Sequence, residues 1–156
     1  MTEQFTSADP TTDGDPFAAI TMRYLVLRRK VGEQVLKDVT LSRENFLEKL
    51  FASGVRHHFY ISLLITEQMG LKAAMAKSRT IRNQTELRIR GTSRIPSSME
   101  KETKFAIDHD MDVQLAEHDV EMRKMYITYI EEVVDLHKSQ RFVFNSIRSM
   151  LEKEES

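Results

Sequence analysis

From Val120 to Met150, apolar residues recur at spacings of three to seven: Val120, Met125, Tyr129, Val133, Leu136, Val143, Ile147 and Met150. The stripe holds over about thirty residues, and only a helix sets residues at such spacings along one face. The C-terminal stretch must therefore lie against something apolar. A chain of 156 residues makes about one domain with a modest core. So short a chain is not expected to cover a helix of that length alone, so the stripe predicts self-association. Tyr129, Val133, Leu136, Phe142, Val143, Ile147 and Met150 are the expected anchors of that interface.

Composition extends the helical reading to the rest of the chain. Five Gly, three Pro, no Trp and nine Met among 30% charged residues favour helix, because straight-chain side chains lose little rotamer freedom there. The expected fold class is all-α, a helical bundle with a long C-terminal oligomerisation helix or helix pair. Residues 1–16 have almost nothing to bury and read as a disordered tail. Residues 17–96 form an N-terminal helical part and 97–156 a C-terminal helical part.

Within the first part, Met22, Leu25, Val26, Val35 and Leu36 predict a short helix from Ile20 to Leu36, weakened or interrupted at Gly32. Ser42 reads as the N-cap of a second helix, with Glu44 in its first turn and Phe46, Leu47, Leu50, Phe51, Val55 and Phe59 on one face. Helical pattern then persists through Gly70 to about Arg90. Gly91 to Ser97 is a loop by composition, and Ser97 with Glu100 makes a capping box that starts a helix after Pro96. Asp108, Asp110 and Asp112 either interrupt that helix or open the next.

Charge is sorted along the chain. Residues 71–95 carry seven cations (Lys72, Lys77, Arg79, Arg82, Arg88, Arg90 and Arg94) against one acid, Glu86, although the net charge is −1. Residues 96–156 hold eight cations and fourteen acids. A basic middle beside an acidic end fits a chain that grips a polyanion, nucleic acid first. On an ideal helix Lys72, Arg79, Asn83 and Arg90 fall within about 40° of one another. A solvated helix face is the bland alternative. Such a face normally mixes signs into i,i+4 pairs, however, whereas like charges here call for an outside neutraliser. No aromatic residue lies between Tyr60 and Phe105, so binding should be to the phosphate backbone and blind to sequence.

Enzyme signals are weak. The two closest glycines, Gly54 and Gly70, are too far apart for a phosphate-cradling loop. Asp108, Asp110, Asp112 and Asp119 imitate a calcium loop, but Val113 stands where the sharp turn demands Gly, and Asp replaces the bidentate Glu. Acids in the first turn of a helix explain the run without a metal. Neither His57 and His58 nor His109, His118 and His137 have a partner at ligand spacing. No catalytic residue, metal site or cofactor is therefore expected. The apolar stretch Phe17–Leu27 is interrupted by Thr21 and Arg23 and preceded by acids, which fits neither a signal peptide nor a membrane span. The absence of cysteine suits a cytoplasmic chain.

Several segments together resemble one family. Lys138-Ser139-Gln140-Arg141-Phe142, followed by Ile147 and Met150, resembles the ending of the UvsY-type recombination mediators of tailed phages. Leu36-Lys37-Asp38-Val39, Arg88-Ile89-Arg90 and Asp110-Met111-Asp112-Val113 look like further counterparts in the same order, covering about residues 22–150. The resemblance implies a helical protein that forms a ring through its C-terminal helices and binds single-stranded DNA. It also implies help for a strand-exchange recombinase in displacing single-strand-binding protein. Arg88 and Arg90 match the family's basic-x-basic DNA-binding element, whereas Gly91-Thr92-Ser93 replace the tyrosines that follow it there. The runner-up expectation is a non-enzymatic helical oligomeric adaptor or structural protein whose basic face docks an acidic protein. A calcium-dependent or hydrolytic enzyme comes third.

Overall fold

The computed structural model describes residues 14–42, 44–91 and 96–154, and the elements among them are helical. Asp15 starts the first helix, α1 (Pro16–Val39), by accepting a hydrogen bond from the Phe17 N–H at 3.0 Å. Pro16 fits the first turn because its missing N–H would find no helical partner there. Residues 1–13, read as most of the disordered tail, lie outside the described residues.

Gly32 does not interrupt α1, contrary to expectation. A Cβ there would stand 3.1 Å from the Tyr129 hydroxyl, so the glycine marks a close helix approach rather than a break. The second helix, α2 (Phe46–Arg90), begins one turn later than the Ser42 cap predicts. Ser42 and Asn45 instead tie the preceding turn reciprocally: the Ser42 N–H donates to Asn45 Oδ1 and the Asn45 N–H to Ser42 Oγ. α2 runs 45 residues without a break and is capped by Gly91, whose φ of +60° with ψ of −154° is a conformation open essentially to glycine alone.

A 3-10 turn at Ser97–Met99 leads into α3 (Glu100–Asp108), so a helical segment does start just after Pro96. Met99 occupies the α3 cap without a side-chain bond, and the Ser97 side chain lies outside the described residues, as does Arg94. The aspartate run both ends α3 and opens α4 (Met111–Glu154). Asp110 Oδ1 accepts the N–H groups of Asp112 and Val113 at 3.1 and 3.3 Å, a carboxylate at the positive end of a helix.

α2 and α4, each about 66 Å long at 1.5 Å per residue, pack antiparallel. Phe46 meets Phe144 at one end, and Arg88 meets Asp110 near the other. α1 lies along the pair, parallel to α4, from His118 beside Thr21 to His137 beside Asp38. Residues 17–96 and 97–156 thus share one core, centred on Tyr24, Tyr126 and Ile130 and on Val35, Tyr60 and Val133.

The expectation that the chain cannot cover its own apolar stripe is corrected for one half of α4. Val120 and Val133 are buried, and Tyr129 packs in the core, because α2 is as long as α4 and α1 fills the groove beside them; of the stripe in this half, Met125 alone stays exposed. α1 ends level with His137. Beyond that level Phe142, Val143 and Met150 are exposed, as is Leu136 beside it, with Ile147 half-buried.

Candidate nucleic-acid interface

The second half of α2 carries six of the seven expected cations, and the structure divides them into two sets. Lys72, Lys77 and Arg79 are exposed and make no ion pair among the described residues. Arg82, Arg88 and Arg90 are paired. Arg82 bridges Asp108 and, at 2.9 Å, Glu117. Arg88 meets Asp110, and Arg90 meets Glu86 one turn back at 2.6 Å.

The unneutralised run that the sequence presents is therefore half neutralised in the fold, by Asp108, Asp110 and Glu117 from α3, α4 and their junction and by Glu86 of α2 itself. The hydrogen bond that Arg82 donates to Asp108 holds its guanidinium still more firmly in the charged form, against the opposing pull of burial. Arg88 keeps most of its side chain in water, 62% exposed, so its pair with Asp110 is weak and exchangeable. Lys72, Arg79 and Asn83 share an exposed outward face, as the ideal-helix angles predict, whereas Arg90 is half-buried on that line.

Lys77 and Arg88 look the other way, into a cleft of about 540 Å³ at the N-terminal end of α1. Gln84 and Arg23 add polar groups to its wall, and Asp112 and Asp119 add acids from α4. Arg23 pairs with Asp119, which also accepts from the Tyr24 hydroxyl at 3.0 Å. Tyr24 in turn accepts from Arg123 Nε at 3.0 Å, and Arg123 pairs with Glu67 at 3.2 Å. Burial, with Asp119 alongside, pushes the Tyr24 phenol above its ordinary value. The cleft thus mixes charges of both signs with apolar walls from Ile20, Ile81 and Leu115, and Arg23 and Asp119 tie its rim to the hydrogen-bond chain behind it.

The calcium-loop reading fails on geometry, because Val113 is fully buried and Met111 onward is helix rather than loop. Among the described residues no three His, Cys, Asp or Glu groups stand close enough to hold a metal ion. Of the expected interface residues, Val133 lies in the chain's own core and Tyr129 packs against it, while Leu136, Phe142, Val143 and Met150 face solvent.

One polar cluster escaped sequence reasoning. Asp38, buried in α1, accepts the Tyr60 hydroxyl at 2.8 Å and faces Arg56 at 3.5 Å. Lys49 bonds the carbonyls of Lys37 and Asp38, closing the end of α1. His137 donates from Nδ1 to the Val133 carbonyl at 2.9 Å, and its Nε2 lies 3.9 Å from the Asp38 carboxylate. Burial and the Asp38 bond push the Tyr60 phenol far above its ordinary range. The only available signal was that Asp38 continues the core-facing line of Tyr24, Val31 and Val35 at spacings of seven, four and three. No family model, curated protein or solved structure matches the chain.

Proposed function

We propose that the chain is a non-enzymatic assembly factor that binds single-stranded DNA, a UvsY-type recombination mediator. In this role it helps a strand-exchange recombinase displace single-strand-binding protein. The observation that carries the reading is the set Lys72, Lys77 and Arg79: exposed, without a carboxylate partner among the described residues, on a stretch whose one acid is committed to Arg90. Cations left in water on a rigid helix are available to phosphates and release counterions on binding. Arg88, exposed and held by one carboxylate, can exchange that partner for a phosphate.

Self-association through Leu136, Phe142, Val143, Ile147 and Met150 sets several such faces on one assembly, as the resemblance to ring-forming mediators implies. Several weak faces on one strand then act at high effective concentration. A second reading, an oligomeric adaptor whose basic face docks an acidic protein, draws support from Arg82 and Arg88, which carboxylates already satisfy within the chain.

Filament assembly separates the two. A strand-exchange recombinase is added to DNA pre-coated with single-strand-binding protein, with and without this chain. Faster assembly that disappears in a Lys72→Ala, Lys77→Ala, Arg79→Ala variant supports mediation. Unaltered assembly and no affinity for bare strands would leave the adaptor reading.

A further inference from the structure

The outer face of α2 changes character along its length. Its second half carries Lys72 and Arg79. Its first half carries Phe51 and Val55, 75% and 73% exposed, then Ile65 and Met69, also exposed. These residues, with His58 and Ser62 between them, follow spacings of four, three, four, three and four, all in water. On the opposite face Ser53 and Tyr60 are buried and Glu67 and Ala74 half-buried, again seven apart. The helix therefore keeps a seven-residue repeat within its own bundle, and the outward seam runs straight along it.

We propose that this seam is a self-association surface on which a second copy of the chain packs antiparallel, about a two-fold axis at residue 60. Positions 51, 55, 58, 62, 65 and 69 are symmetric about that residue. Pairing the seam with itself sets Phe51 against Met69 of the second copy, Val55 against Ile65 and His58 against Ser62. Phe59, also exposed, meets its own counterpart beside the axis.

One layer further out, Lys72 stands opposite Glu48 of the second copy, and symmetry repeats the pair at the other end. Both residues are exposed and neither has an ion partner within the chain among the described residues. Other alignments are worse. A parallel pair sets Lys72 on Lys72 and Glu48 on Glu48, and a slip of one heptad drives Lys72 onto Val55. Charge and shape thus select the same register. From residue 48 to residue 72 the seam is about 36 Å long, and Gly54 on its flank has open space around it. This surface lies on another helix from the C-terminal apolar residues; it shares only Lys72 with the proposed nucleic-acid face and leaves Lys77 and Arg79 in water.

The chain has no cysteine, so cross-linking is clean. Val55→Cys and Ile65→Cys variants are oxidised separately and as a mixture, without nucleic acid, after circular dichroism shows both to be helical. The mixture should form a disulfide-linked dimer, while each variant alone should not, because like positions lie about 15 Å apart in this register. Cross-linking of Val55→Cys with itself, or none in the mixture, overturns the proposal. Independently, Lys72→Glu and Glu48→Lys should each weaken dimerisation about tenfold, and the double reversal should restore it. Sedimentation showing all four proteins alike would be equally fatal to it.

Discussion

Where α1 closes over the α2–α4 pair, the carboxylate of Asp38 is buried and held by Tyr60 and Arg56, with His137 alongside. At the other end, near the start of α1, Arg82 and Arg88 meet carboxylates at the surface, and Lys72, Lys77 and Arg79 meet none among the described residues. One helix, α2, runs through both. A charge buried at the first end must be satisfied by the chain itself, because a desolvated group without partners is costly. A charge at the second end can be left to water, and so to a ligand. The first end holds the bundle together, and the second leaves charge in water.

The sharpest break of that contrast is Asp38→Ala. It strands Arg56 and the Tyr60 hydroxyl inside the bundle and should cost about 3–5 kcal/mol, the usual loss on breaking a buried pair. Urea unfolding of the variant measures it, and a loss under about 1 kcal/mol would mean that the two ends are not different in kind.

Phe142→Ala comes next and should separate stability from assembly. With its side chain 74% exposed, its removal should leave unfolding of the isolated chain nearly unchanged. Loss of the burial it gains between subunits should weaken self-association by about 1.5–3 kcal/mol, read by sedimentation. Equal losses in both measurements would place Phe142 in the monomer's own structure.

Arg88→Ala probes the second end directly. A pair so exposed should contribute about 0–1 kcal/mol, so the urea midpoint should barely move while single-strand affinity falls on every sequence alike. The smallest effect concerns His57, half-buried against α4. Burial first, then the nearby charge of Arg141, lowers its proton affinity in the folded chain. The unfolded chain therefore takes up a proton near the ordinary value of about 6.5 while the folded chain resists. Stability present above that pH should decline below it. His57→Gln should flatten the decline between about pH 7 and about pH 5.5, as followed by urea midpoints.

The long helices were legible because their apolar residues recur at three and four over many turns, a signal no single glycine cancels. Gly32 misled for that reason: its meaning comes from Tyr129 across the bundle, not from its neighbours. The Asp38, Tyr60 and His137 cluster was hidden, since it joins three helices and has no local spacing. The neutralising partners of Arg82 and Arg88 were hidden in the same way. They sit some twenty to thirty-five residues away, at Asp108, Asp110 and Glu117, and only the antiparallel return of the chain brings them alongside. Lys72, Lys77 and Arg79, by contrast, keep in the fold the exposed charge that their local sequence shows, because nothing distant reaches them among the described residues.

The most direct test of the free-charge end is the salt dependence of single-strand binding. Affinity of the wild type for an unstructured oligonucleotide is measured from about 50 to about 200 mM salt, beside Lys72→Ala, Lys77→Ala, Arg79→Ala and beside Arg82→Ala. If the three unpaired cations each hold a phosphate, the triple variant should lose about 0.7 of slope per contact, roughly two per subunit, and Arg82→Ala should lose little. A wild type that does not bind at low salt, or a triple variant with the same slope, would contradict the assignment of this end of α2 to nucleic acid.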